Sequence, residues 1–155
     1  MPWIQNCAAA DIPTGFHVAV GDNAMLIQIT DPASWRPTPK HQFKEVHHFE
    51  FLDVEANDHV DDEEMRCSQQ QANELVRLLQ HALDNRMDVI VHCFAGICRS
   101  GAVCEVGVMM GFQDTERFRS PNLLVKHRMM KALGLSYDEN EKPNLDDWRK
   151  FTNDF

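Results

Sequence analysis

The sequence predicts a single α/β domain with a mainly parallel central sheet flanked by helices. Val89-Ile90-Val91 is a short, wholly apolar run of the kind found in strands buried on both faces. Segments with helical apolar spacing lie on either side of it, and further strand candidates lie upstream, so strands and helices alternate. The 155 residues suit one hydrophobic core and leave little room for a second. Residues 1–155 therefore read as one domain, with a core of about 17–134 and a C-terminal tail over 135–155.

Taken in order, His17–Val20 and Ala24–Ile29 read as two short strands with Gly21-Asp22-Asn23 as the turn between them. Asp31–Lys40 carries three prolines and reads as a loop. Val46–Val54 is rich in aromatic and β-branched residues and reads as a strand. The acidic stretch Glu55–Glu64 has no apolar period and reads as a loop. A helix should start at Ser68, since Ser68 and Gln71 make a capping-box pattern. Ala72, Leu75, Val76, Leu79, Ala82 and Leu83 follow at helical spacing. Beyond Val91 the chain enters an apolar helix from about Ser100 to Met110. A last helix runs from Pro121 to about Leu133, with Ser120 as N-cap, Pro121 at the first position and Gly134 as the stop.

Composition narrows the function. The apolar share of 43% and charged share of 25% are those of a soluble globular protein. No run approaches the roughly 18 apolar residues a membrane span needs, and no signal peptide is expected at the amino terminus. A net charge of -9 argues against a broad nucleic-acid surface, though one pocket of an acidic protein can still be positive. Five unevenly spaced cysteines with no CxxC pair fit reduced thiols in a cytoplasm and give no support to a thiolate metal site. His59 stands among acids without ordered ligand spacing, so neither a metal nor a cofactor is expected.

The chemistry concentrates between Val91 and Ser100, where a buried-type strand turns into a helix. A helix N-terminus offers unpaired amides and the positive end of a dipole, which suits an anion. Gly96 permits the tight backbone that such a loop needs. The same field favours Cys93 as a thiolate, and Arg99, six residues on, can curl back and bond two oxygens of one anion. Phe94, Ala95, Gly96, Ile97 and Cys98 then form the loop that wraps the phosphate, together with Arg99. None of the other four cysteines has an arginine six residues on.

His92-Cys93 through Arg99-Ser100 resembles the His-Cys-x5-Arg-Ser signature of the protein tyrosine phosphatase superfamily, in its small dual-specificity-type branch that includes compact bacterial and phage members. The resemblance spans roughly residues 17 to 134 and is strongest at the loop. It implies that Cys93 attacks phosphorus to form a phosphocysteine while Arg99 holds the phosphoryl group. It further implies that Ser100 helps the thiolate leave and His92 supports the loop. Asn122 matches a Pro-Asn pair that braces the loop, although Pro121-Asn122 also reads simply as the start of a helix. A general acid should lie on a loop before the nucleophile. Asp58, in Ala56-Asn57-Asp58, fits the local context; Asp61 and Asp62 fit the usual sequence distance; Asp53 is read as lying within the strand and less free to move.

Cys98 reads either as a reversible disulfide partner for Cys93 or as a small side chain that fits the loop. Glu105 is expected to bond loop amides or Arg99 rather than face solvent. The expected activity is hydrolysis of phosphomonoesters on a phosphorylated protein, phosphotyrosine first, with phosphoserine and phosphothreonine as further substrates. The alternatives are a nucleotide or sugar phosphate phosphatase and a phosphate-binding pseudophosphatase. The uncharged loop positions count against polyanionic lipids.

Overall fold

The computed structural model describes residues 1–16, 19–55 and 65–135. Five strands form one sheet: β1 (Trp3–Ala8), β2 (Ala24–Thr30), β3 (Glu45–Glu50), β4 (Asp88–Cys93) and β5 (Gln113–Asp114). Three helices accompany them: α1 (Gln69–Asp84), α2 (Arg99–Met110) and α3 (Leu123–Ala132). The strand order is β3-β2-β4-β1-β5, and every pairing is parallel. The α/β class and parallel sheet are as expected. All five strands therefore present their carboxyl ends to one edge, where such sheets place their ligands.

β4 is the sheet's centre, and Val89, Ile90 and Val91 are fully buried. Alternation sends its side chains to two different cores. Val89, Val91 and Cys93 join Ile27 and Ile29 of β2 in a cluster with Leu75 and Leu79 of α1, Val103 and Val106 of α2, and Val125 and Met129 of α3. Ile90 faces the other way with Cys7 and Leu26, under Ile12 and Phe43. The described helices thus pack on one face, while irregular chain covers the other.

Two expectations need correction. β2 does not pair with the segment before the 21–23 turn: it pairs in parallel with β3 and β4, and Ala19 and Val20 belong to no strand, while His17 and Val18 lie outside the described residues. The strand that was missed is β1, inserted between β4 and β5. Its Gln5 and Asn6 are buried, and two adjacent polar residues disguise a strand whose kind is usually apolar. The last helix also starts later than its proline suggested. Asn122, not Ser120, is the N-cap, accepting from the Val125 amide at 3.1 Å.

The helix expected at Ser68 forms as read. Ser68 Oγ accepts from the Gln71 amide at 3.0 Å and Gln71 Oε1 accepts from the Ser68 amide at 2.9 Å, a reciprocal capping box. Replacing Ser68 with alanine should cost about 1 kcal/mol of unfolding free energy. Urea denaturation of Ser68→Ala and wild-type protein at equal m-value checks this.

Candidate active site

The loop between β4 and α2 is shaped by what holds its carbonyl oxygens. The Ala9 amide donates to Phe94 O (3.2 Å), Asn6 Nδ2 to Gly96 O (2.7 Å), and the Ser120 amide to Ile97 O (3.2 Å). Cys98 O accepts from the amides of both Ala102 (2.9 Å) and Asn122 (3.0 Å). No peptide among the described residues is cis, so each N–H opposes the carbonyl of its own peptide unit. With four carbonyls tied outward, the amides of Ala95, Ile97, Cys98 and Arg99 face the concave side. Amides arranged in this way can cradle an anion by backbone alone.

Gly96 is required for two reasons. Its φ is +75°, and a Cβ there would lie 2.3 Å from the Cys7 carbonyl carbon and 2.5 Å from the Ala8 nitrogen. Neither neighbour can yield, because both are backbone of β1.

Cys93 ends β4, 2% exposed, with its Sγ 3.2 Å from Ser100 Oγ. Arg99 is 5% exposed, and its Nη1 donates to Asp31 Oδ1 (2.7 Å) and to Phe51 O (2.9 Å). Asp31 directly follows β2 and its carboxylate is half exposed. Sequence reasoning left it inside a proline-rich loop. Its place at the carboxyl end of a parallel strand was the available signal. Asn6 was missed with its strand.

His92 is fully buried on the face of the sheet opposite Cys93's cluster, and its ring nitrogens have no hydrogen-bond partner among the described residues. Burial lowers its pKa to about 4, outweighing the backbone of Cys93, which acts to raise it. The ring is therefore neutral at physiological pH. Burial likewise pushes the Cys7 and Cys67 thiols up to about 12 and Cys104 well above its ordinary value. Cys98 is raised as well, by desolvation first and then by the Asp53 carboxylate beside it. All five cysteines are free thiols.

Asn122 joins three parts of this edge. Its amide holds Cys98 O, its Oδ1 caps α3, and its Nδ2 donates to Asp53 Oδ1 (2.8 Å) and Val54 O (3.2 Å). Asn122 thus starts the helix with its side chain, while its contact with the loop is made by its backbone amide. Next along the chain, the Glu55 carboxylate accepts from the Leu123 and Leu124 amides at the head of α3. Asp53 is brought to the loop; Asp58, Asp61 and Asp62 lie outside the described residues. Glu105 does not serve the loop or Arg99. It bonds Arg119 Nε at 2.6 Å, and Arg119 also grips Asp114, an enclosure that raises the arginine's pKa. No group of His, Cys, Asp and Glu among the described residues is arranged to hold a metal ion, and none of the described helices is long and apolar enough to cross a membrane.

Residues 46–110, from β3 through α2, match the family model described as Tc-R-P: Polymorphic toxin system, DSP-PTPase phosphatase. That segment, about two fifths of the chain, is thus similar to the dual-specificity-type branch of the cysteine-dependent protein tyrosine phosphatases. No curated protein matches the chain. Among solved structures, the tyrosine phosphatase OH1 from the Orf virus is 19% identical with a TM-score of 0.47, the alignment covering 71% of this chain and 57% of that one. The chain thus spans little more than half of the Orf virus protein's length. Human DUSP28 is 14% identical with a TM-score of 0.47, covering 99% of this chain and 91% of that one.

A buried neutral imidazole makes stability pH-dependent. The folded pKa of His92 lies near 4, below its ordinary 6.5, so the unfolded chain binds the extra proton between those values. Unfolding free energy should therefore fall as pH drops from about 6.5 toward 4, by roughly 3 kcal/mol at most from this residue. His92→Asn should flatten that part of the curve, as measured by urea titrations across the range.

Proposed function

We propose that this chain hydrolyses phosphomonoesters through a phosphocysteine intermediate, acting on protein phosphotyrosine first and on phosphoserine and phosphothreonine as well. The observation that carries the reading is one loop that combines the Cys93 sulfur, four inward amides and the Arg99 guanidinium. In the proposed first step, Cys93 Sγ attacks phosphorus in line. The P–O bond to the leaving group breaks as the S–P bond forms. Amides and Arg99 take the negative charge on the three equatorial oxygens. Ser100 Oγ, 3.2 Å from the sulfur, can hydrogen-bond the thiolate when water later cleaves the S–P bond. His92 would support the loop as a neutral, buried ring rather than as an acid.

We assign the general acid to Asp58. It would protonate the departing oxygen and then take a proton from the attacking water. Asp53 is the second reading because of its own geometry: fixed by Asn122 and set beside Cys98, it is a carboxylate already at the loop. Asp61 and Asp62 remain behind these two. Phe94 is 75% exposed within the loop, and an aromatic side chain at the rim suits an aromatic leaving group. Cys98, with its raised pKa, is better suited to filling the loop than to resolving an oxidised Cys93.

Cys93→Ser should abolish turnover of phosphotyrosine peptides while retaining their binding, since amides and Arg99 remain. Wild-type turnover in that variant would sink the mechanism. A parallel panel of phosphoserine peptides and nucleotides ranks the substrate classes. Asp58→Ala should slow hydrolysis by about 10²- to 10⁴-fold and remove the alkaline fall of the pH–rate profile, where the acid loses its proton. If Asp53→Ala does this and Asp58→Ala does not, the roles pass to Asp53.

A further inference from the structure

We infer that Asn6 is a positioning residue that locks the peptide between Gly96 and Ile97 in its anion-binding orientation, an inference that rests on the phosphatase reading above. Asn6 sits on β1, 2% exposed, and its side-chain amide is shared between Gly96 O (2.7 Å) and Phe118 O (3.0 Å). One NH2 group supplies both hydrogens, so the loop and the 118 segment are fastened to the same point of the sheet.

The lock is needed because of what Gly96 allows. A glycine at φ +75° has no Cβ to resist rotation of the peptide that follows it. Turning that unit over would withdraw the Ile97 amide from the cradle. The Gly96 carbonyl dipole would then point at the anion, replacing an attraction with a repulsion. The neighbouring units are held by backbone donors: Ala9 on Phe94 O, Ser120 on Ile97 O, and Ala102 and Asn122 on Cys98 O. Gly96 O is the outward carbonyl of the loop that depends on a side chain. Only a short side chain that ends in a donor fits there, since an apolar residue would leave two carbonyls without partners. Gln5, its neighbour on β1, is equally buried but has no hydrogen-bond partner for either side-chain atom, so it serves as an internal comparison.

The test compares wild type, Asn6→Leu and Gln5→Leu as full chains, using tungstate as the probe. Three things are measured: tungstate affinity, the rate ratio of iodoacetate to iodoacetamide at Cys93 by peptide mass spectrometry, and ligand-free melting temperature. Asn6→Leu should weaken tungstate by about tenfold or more, the worth of one amide–anion hydrogen bond, and should lower the preference for the anionic alkylator. Gln5→Leu should leave both as in wild type. Equal tungstate affinity and equal alkylation ratio in Asn6→Leu and wild type overturn the lock, whatever the melting temperatures do. If Asn6→Leu fails to fold, the wild-type protein still decides by NMR. The Ile97 amide must shift with tungstate alongside those of Ala95 and Arg99, and an unresponsive Ile97 overturns the proposal. Wild-type turnover is followed in the same samples. A protein that shows the Asn6 effect without hydrolysing any phosphoester supports the lock and removes the phosphatase reading instead.

Discussion

The constraint on which the site depends is the close approach of the loop to the end of β1. Gly96 sits where a Cβ would come within 2.3–2.5 Å of the Cys7–Ala8 backbone, and from the same strand Asn6 reaches back to its carbonyl. Strand and loop are fitted to each other atom by atom. From that contact the rest follows. The Gly96 carbonyl faces the sheet, the next amide faces the cradle, and Cys93, the register partner of Ala8 on the adjacent strand, lies at the floor. A loop with free carbonyls would bind anions poorly whatever its sequence, because each misplaced carbonyl opposes the amides around it.

Charge is arranged with similar economy. The chain carries -9 overall, yet the cradle gathers four amides and one guanidinium. Arg99 is buried and would be costly to leave without an anion. Asp31 and the Phe51 carbonyl engage its Nη1 from the ends of two neighbouring strands, while its buried Nε has no partner among the described residues. The half-exposed Asp31 carboxylate keeps a foot in water, so the pair is not sealed into the interior. The arginine is thereby held at the mouth in one orientation, and an anion entering the cradle meets a guanidinium that is already ordered.

Much of this was legible in the sequence, and the failures have physical causes. β4, α1 and α2 are continuous patterns of burial, and the Cys93–Ser100 segment announces itself because strand, glycine, arginine and helix coincide. β1 was hidden by Gln5 and Asn6, polar residues in a strand buried between two neighbours. Asn6 is polar because its partners are carbonyls of two segments 90 and 112 residues away, and no local pattern records that. The hairpin reading of residues 17–29 failed because a turn-like Gly-Asp-Asn does not reveal whether the strands beside it pair with each other. Glu105 was assigned to the wrong arginine for a related reason: helical spacing gives a face, and only packing decides whether Arg99 or Arg119 occupies it. At α3 the proline outweighed the asparagine beside it, although the asparagine carries the capping oxygen.

Asn122 has a consequence for how this edge comes apart. Its backbone holds the loop, its side-chain oxygen starts α3, and its side-chain nitrogen grips the chain leaving β3. Glu55 doubles the last link by capping the same helix. Three elements that fold from distant parts of the sequence therefore share one hinge pin. Fraying of the first turn of α3 releases Cys98 and Asp53 together, so the three open as a single cooperative unit rather than as separate loops. Slow amide exchange in that turn would then report on the integrity of the Cys93–Arg99 loop from outside it.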